Sequence, residues 1–129
     1  MSTNLLTLIG VACAGAVGAI ARYLVDGAVS DRTGGSFPWG TLVVNITAAF
    51  LLGLVFAFFQ ARIGVVPVWV RTTIQTGLIG TYSTFSTLTL ETLNLLQSGS
   101  YLLGAANIFG SIALGMFAVY GGTALGRWV

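Results

Sequence analysis

The run Gly77-Leu78-Ile79-Gly80-Thr81-Tyr82-Ser83-Thr84-Phe85-Ser86-Thr87-Leu88-Thr89-Leu90-Glu91 restricts this chain more than any other stretch. It lies inside a segment otherwise apolar enough for a membrane helix, yet it carries hydroxyls at Thr81, Tyr82, Ser83, Thr84, Ser86, Thr87 and Thr89 behind two glycines. A hydrocarbon core holds no water to satisfy such groups. The run must therefore be enclosed by other protein, line a polar path, or do both.

Composition sets the class. With 129 residues, 56% hydrophobic and only 6% charged, the chain has room for one domain and reads as an integral membrane protein in contact with the lipid bilayer. It contains no His and no Lys, and its acids are limited to Asp26, Asp31 and Glu91, so most proton-transfer chemistry and most metal sites lack their side chains. That inventory argues against an enzyme. Cys13 has no intrachain partner and reads as a small packing residue. The net charge of +2 comes from scattered arginines, so there is no polybasic lipid-binding cluster and no patch for nucleic acid.

Four spans are expected. The first covers about 5–24 and is rich in Gly and Ala, which lets neighbouring helices approach closely; it lacks a basic leader and continues past Ala14-Gly15-Ala16, so it reads as a retained span and not a signal peptide. Arg22 near its end fits either an arginine that snorkels to the headgroups or a charge that draws anions to a vestibule. Asp26 to Pro38 reads as a polar loop. The second span, about 39–60, repeats Thr41, Asn45, Ala49 and Gly53 every four residues on one face. An amide buried at Asn45 needs a partner, which either glues helices together or belongs to a pathway. The third segment, about 71–97, would be roughly 40 Å long as one helix at ~1.5 Å per residue, more than the ~30 Å hydrocarbon core. Gly77, Gly80 and the hydroxyl run place an interruption near 80–84, against the alternative of a continuous helix whose hydroxyls bond back to carbonyls one turn earlier. The last span, about 101–126, repeats Asn107, Ser111 and Gly115 on one face.

The arginines are divided almost evenly, with Arg62, Arg71 and Arg127 on the side of both termini and Arg22 and Arg32 on the other. So weak a bias allows insertion in both orientations, and two opposed copies can pair about an axis in the membrane plane. The expected fold is an all-α membrane protein of four transmembrane helices with a break in the third, assembled as an antiparallel, dual-topology homodimer.

Thr41, Asn45, the 81–87 run, Asn107 and Ser111 can line a narrow route with no fixed charge. Hydroxyls and amides both donate and accept and so serve either sign of ion, but no acid lies inside the first, second or fourth span and the edge of the Phe85 ring is electropositive, which tilts the choice toward an anion. Gly40-Thr41-Leu42-Val43-Val44-Asn45 and Thr84-Phe85-Ser86-Thr87 followed by Glu91 resemble the signature segments of the CrcB/Fluc fluoride channel family, with Arg22 and Ser111 agreeing in position across essentially the whole chain. The resemblance implies a fluoride-selective channel of the inner membrane, exporting fluoride passively from the cytoplasm through two antiparallel pores. It places Asn45 and Phe85 on the route, Ser86 and Thr87 as donors behind the ring, Ser111 and Asn107 further along, Thr41 as support for the second span, and Arg22 at the vestibule. It also implies a structural sodium ion at the dimer centre, held by the backbone carbonyls of Gly80 and Ser83.

Two positions depart from the family pattern: Leu88 stands where a second phenylalanine is usual, and Thr81 follows Gly80 in place of a glycine. Leu88 has no ring edge to offer, so the second aromatic contact is lost or supplied otherwise, for example by Tyr82, and the role is carried over to no residue. Two rival readings remain at this level. One is a small dual-topology, proton-coupled multidrug exporter, which needs an embedded carboxylate that only Glu91 can supply. The other is a non-conducting structural subunit whose polar stripes are packing faces.

Overall fold

A computed structural model of the chain describes residues 4–129. Helix α1 (Leu5–Thr33) begins where the Asn4 side chain accepts the Leu6 N–H at 3.1 Å. Helices α2 (Trp39–Gln60) and α6 (Tyr101–Gly126) carry no charged residue over their whole lengths. All three are long and apolar enough to cross a membrane. A fourth, interrupted stretch comprises α3 (Val68–Thr72), a π-helical segment Thr73–Ile79, α4 (Gly80–Tyr82) and α5 (Phe85–Gln97). The described residues thus form an all-helical, multi-pass membrane protein.

The first helix outlasts its expected span. Asp26 to Thr33, read from its turn residues as loop, continues α1, and only residues 34–38 connect it to α2. Polar side chains there satisfy the helix itself: the Ser30 hydroxyl donates to the Asp26 carboxylate at 3.3 Å, Arg32 to the Ala28 carbonyl at 2.8 Å and Thr33 to the Val29 carbonyl at 2.9 Å. Gly34, with a φ of 61°, then ends the helix. At 29 residues α1 is roughly 43 Å long, so its last turns extend beyond a ~30 Å hydrocarbon layer.

Helices α2 and α6 form the most extensive contact in the molecule. Their seam is built from backbone: a Cβ on Gly53 would collide with the Val119 carbonyl, one on Gly122 with the Phe50 carbonyl, and one on Gly126 with the Leu54 carbonyl. Lipid tails are as apolar as leucine, so close van der Waals approach of this kind, and not water exclusion, holds such helices together. Arg62 terminates α2, donating to the Phe58 carbonyl at 3.2 Å with its guanidinium 3.8 Å from the Phe58 ring.

On the other side, α1 packs on the π-helical segment, where Gly77 lies against Val11 and Ala14. The Gly80 N–H reaches back five residues to the Gln75 carbonyl. Beyond Tyr82 the chain leaves helical geometry for two residues, Ser83 at φ −74°, ψ 161° and Thr84 at φ −150°, ψ 111°, before α5 starts at Phe85.

Candidate functional site

Two extended residues inside a membrane segment leave backbone groups that no helix satisfies. Neighbouring side chains take them up. The Asn45 amide binds Thr84 twice: its Oδ1 accepts the Thr84 N–H at 2.8 Å, and its Nδ2 donates to the Thr84 carbonyl at 3.0 Å. In effect α2 presents a one-residue stand-in for a backbone partner. From the opposite helix, Arg22 of α1 donates to the Ser83 carbonyl at 3.2 Å. The Ser83 N–H remains bonded to the Ile79 carbonyl at 3.2 Å. The Thr84 hydroxyl caps α5, accepting from the Thr87 N–H at 3.3 Å and donating to the Thr87 hydroxyl at 2.9 Å. No backbone N–H among the described residues reaches the carbonyls of Gly80 or Ser83; the Gly80 oxygen accepts the Ser83 hydroxyl at 3.3 Å.

Thr84, 8% exposed, separates two small cavities. One, of about 190 Å³, is lined by Asn45, Ser83, Thr84, Phe85, Leu88, Ser111 and Ile112. Every polar group in it is neutral, and the buried Ser111 hydroxyl has no protein partner. The other, of about 210 Å³, is lined by Arg22, Asp26, Thr41 and Thr87 among others. From it, Thr41 donates to Glu91 at 2.7 Å, and Glu91 in turn lines the largest cavity, about 440 Å³, beneath the 34–38 connection. Polar space thus follows the third helical stretch from Phe85 to Ser98. Inside such a wall, neutral hydroxyls and amides can replace the water of a small ion without fixing it in place.

The chain matches the family model described as CrcB-like protein, Camphor Resistance (CrcB), over residues 9–123. It belongs to that family. A Magnetococcus marinus protein named fluoride-specific ion channel FluC is 44% identical over 92% of this chain and 96% of its own length. A Hahella chejuensis protein of the same name is 43% identical over 95% of both chains. One from Frankia casuarinae, named fluoride-specific ion channel FluC 1, is 46% identical over 88% of this chain and 91% of its own. These relatives are ion channels and not enzymes, in keeping with a chain that has neither His nor Lys.

Within this CrcB-family chain, Asn45, Phe85 and Ser111 meet in one cavity, while Thr41, Thr87 and Arg22 meet in the next. Ser86 and Asn107 line neither. Ser86 is exposed, 3.5 Å from the Thr84 hydroxyl. Asn107 is fully buried and donates to the Thr92 hydroxyl at 3.0 Å, leaving its Oδ1 without a protein partner. Phe85 is 73% exposed on the protomer, so one side of its ring has no protein against it. Tyr82 does not line the Phe85 cavity; its hydroxyl lies 2.9 Å from that of Thr47. Leu88 does line it and is buried.

Sequence reasoning named Thr84 only within the hydroxyl run and the signature segment, with no role of its own, and did not name Thr92. Thr84 had a legible signal, a threonine three residues before Thr87 at the start of a helix, the spacing of an N-cap. Thr92 had none, because its donation to the Leu88 carbonyl at 2.8 Å makes it resemble any back-bonded membrane threonine.

Proposed function

We propose that this chain is a fluoride channel that lets the anion leave the cytoplasm passively across the inner membrane, through two antiparallel pores of a dual-topology homodimer. The observation that carries the reading is the small cavity at Thr84, where Asn45, Phe85 and Ser111 converge with only neutral polar groups. The names of the CrcB-family relatives support the choice of ion. Fluoride holds its water tightly, so a pore must offer convergent donors in exchange and avoid becoming a trap. The unpartnered Ser111 hydroxyl and the second N–H of Asn45 are such donors. The electropositive edge of Phe85 adds a further contact without a formal charge. Thr87 and Thr41 extend the route toward Glu91, with Ser86 beside it and Asn107 set back from it, bonded to Thr92. Export then follows the membrane potential, worth ~2.3 kcal/mol per charge per 100 mV.

The exposed Phe85 ring favours a second copy against this face, since a pore wall needs both sides. For a hard monovalent cation such as sodium, the Gly80 carbonyl offers a neutral oxygen free of backbone donors, whereas the Ser83 carbonyl already accepts from the Arg22 guanidinium, whose charge opposes a cation at the same oxygen. Bound between two copies, such an ion would lock the two breaks together.

Efflux from liposomes containing only this protein, followed with a fluoride electrode and a chloride control, tests the reading. Fluoride release far faster than chloride release is expected. Equal release of both, or of neither, contradicts it. In the same assay Leu88→Phe, which places a second ring edge in the cavity, is expected to raise fluoride efflux; a wild type faster than the variant would show that Leu88 is no deficit.

A further inference from the structure

The Ser83–Thr84 step is gripped from two helices at once, and the grip from α1 is made by a charged side chain far from any helix end. We infer that Arg22 is a positioning residue that sets the break in the third helical stretch by holding the Ser83 carbonyl, and that it does not act as a charge attracting anions to the pore mouth. The geometry is specific. Arg22 Nη1 lies 3.2 Å from the Ser83 oxygen, and no backbone N–H reaches that oxygen. The next residue, Thr84, has both backbone groups held by Asn45. Arg22 and Asn45 therefore complete the hydrogen bonding of the step between them, one from α1 and one from α2.

The surroundings of Arg22 also weaken any long-range pull. Asp26, one turn along α1, lines the same cavity, so an approaching anion meets a carboxylate there as well as the guanidinium. The other polar groups facing that space, Thr41 from α2, Thr84, and Thr87 from α5, are neutral, as is Tyr23 of α1. The hydrogen bond that the guanidinium makes there goes to a backbone carbonyl that no amide reaches.

Phe85 directly follows the held step, so the Ser83 carbonyl fixes where the ring and the α5 cap begin. Loss of the Arg22 bond shifts both without removing any group from the cavity. The flux part of this inference rests on the fluoride reading above; the structural part does not.

Two readouts on purified, reconstituted protein decide it. Arg22→Met keeps much of the length of the side chain and removes its donors, and Arg22→Gln serves if the first variant does not fold. Both are expected to slow fluoride efflux about tenfold, the scale of losing a charge-assisted bond to a partly buried carbonyl. The ratio to wild type should stay constant as potassium gluconate is raised from about 0.01 M to about 1 M, over which the screening length falls from roughly 30 Å to roughly 3 Å. Hydrogen exchange over residues 80–87, measured without any ion gradient, should be faster in the variants. A deficit that vanishes at high salt, with unchanged exchange, would make Arg22 a mouth charge and overturn the inference. Faster exchange in the variants of a chain that passes no fluoride would uphold the grip on the break and refute the fluoride reading.

Discussion

The seam between α2 and α6 and the crossing of α2 with the Ser83–Thr84 step begin from the same helix and reach opposite solutions. Along the seam, Gly53, Gly122 and Gly126 bring backbone against backbone, leaving no room for a side chain or a water. About two turns earlier on α2, Asn45 spends its amide on a piece of non-helical backbone and borders an open cavity. Both arrangements satisfy the rule that lipid will not solvate a polar group. One does so by having nothing to solvate, the other by supplying each group with a tailored partner. The first fixes a rigid wall, and the second preserves the donors and space an ion needs.

Substitutions can break that contrast at either end. The largest expected effect is at the seam: Gly122→Leu drives a side chain into the Phe50 carbonyl and the Leu54 backbone. Overpacking against rigid backbone costs about 3 kcal/mol. Size-exclusion chromatography in detergent should show aggregated protein in place of a single species.

Asn45→Ala comes next. It strips the Thr84 N–H and carbonyl of their partners together, at about 1 kcal/mol each, the low end for such groups because they border an open cavity. Thermal unfolding should drop measurably while a folded species persists, and fluoride efflux should fall more steeply than stability does. A variant with wild-type flux would show that the step holds its shape without α2.

Thr92→Val is the mildest. It leaves the buried Asn107 amide without its acceptor, at about 1 kcal/mol, yet touches neither small cavity. Unfolding should shift slightly and flux should not. Lost flux with intact stability would move Asn107 from the packing side of the comparison to the pathway side.

The same contrast explains what could be read from the residues alone. Periodicity put Thr41, Asn45 and Gly53 on one face of α2, and the structure agrees that they share a face. It could not say that this face meets Glu91 at Thr41, the extended step at Asn45 and α6 at Gly53. Spacing reports direction, while partners depend on where other helices cross. The last span shows this again. Its stripe of Asn107, Ser111 and Gly115 leads from a sealed hydrogen bond to a cavity wall to open space, whereas the glycines that touch α2 are Gly122 and Gly126, about two and three turns further along the helix. The long α1 was misread between Asp26 and Thr33 because Asp, Ser and Thr favour turns unless their side chains bond within the helix, as they do here. The π-helical turns at Thr73–Ile79 left no mark in composition, because five-residue bonding here accompanies the packing of Gly77 on α1.

The most direct test is an experimental structure of the protein in lipid with fluoride present. The account predicts residues 83 and 84 extended, Asn45 bonded to both backbone groups of Thr84, and density for an anion among Asn45, Phe85 and Ser111. Uninterrupted helix from 80 to 87, with Asn45 and Phe85 turned toward acyl chains, would contradict it.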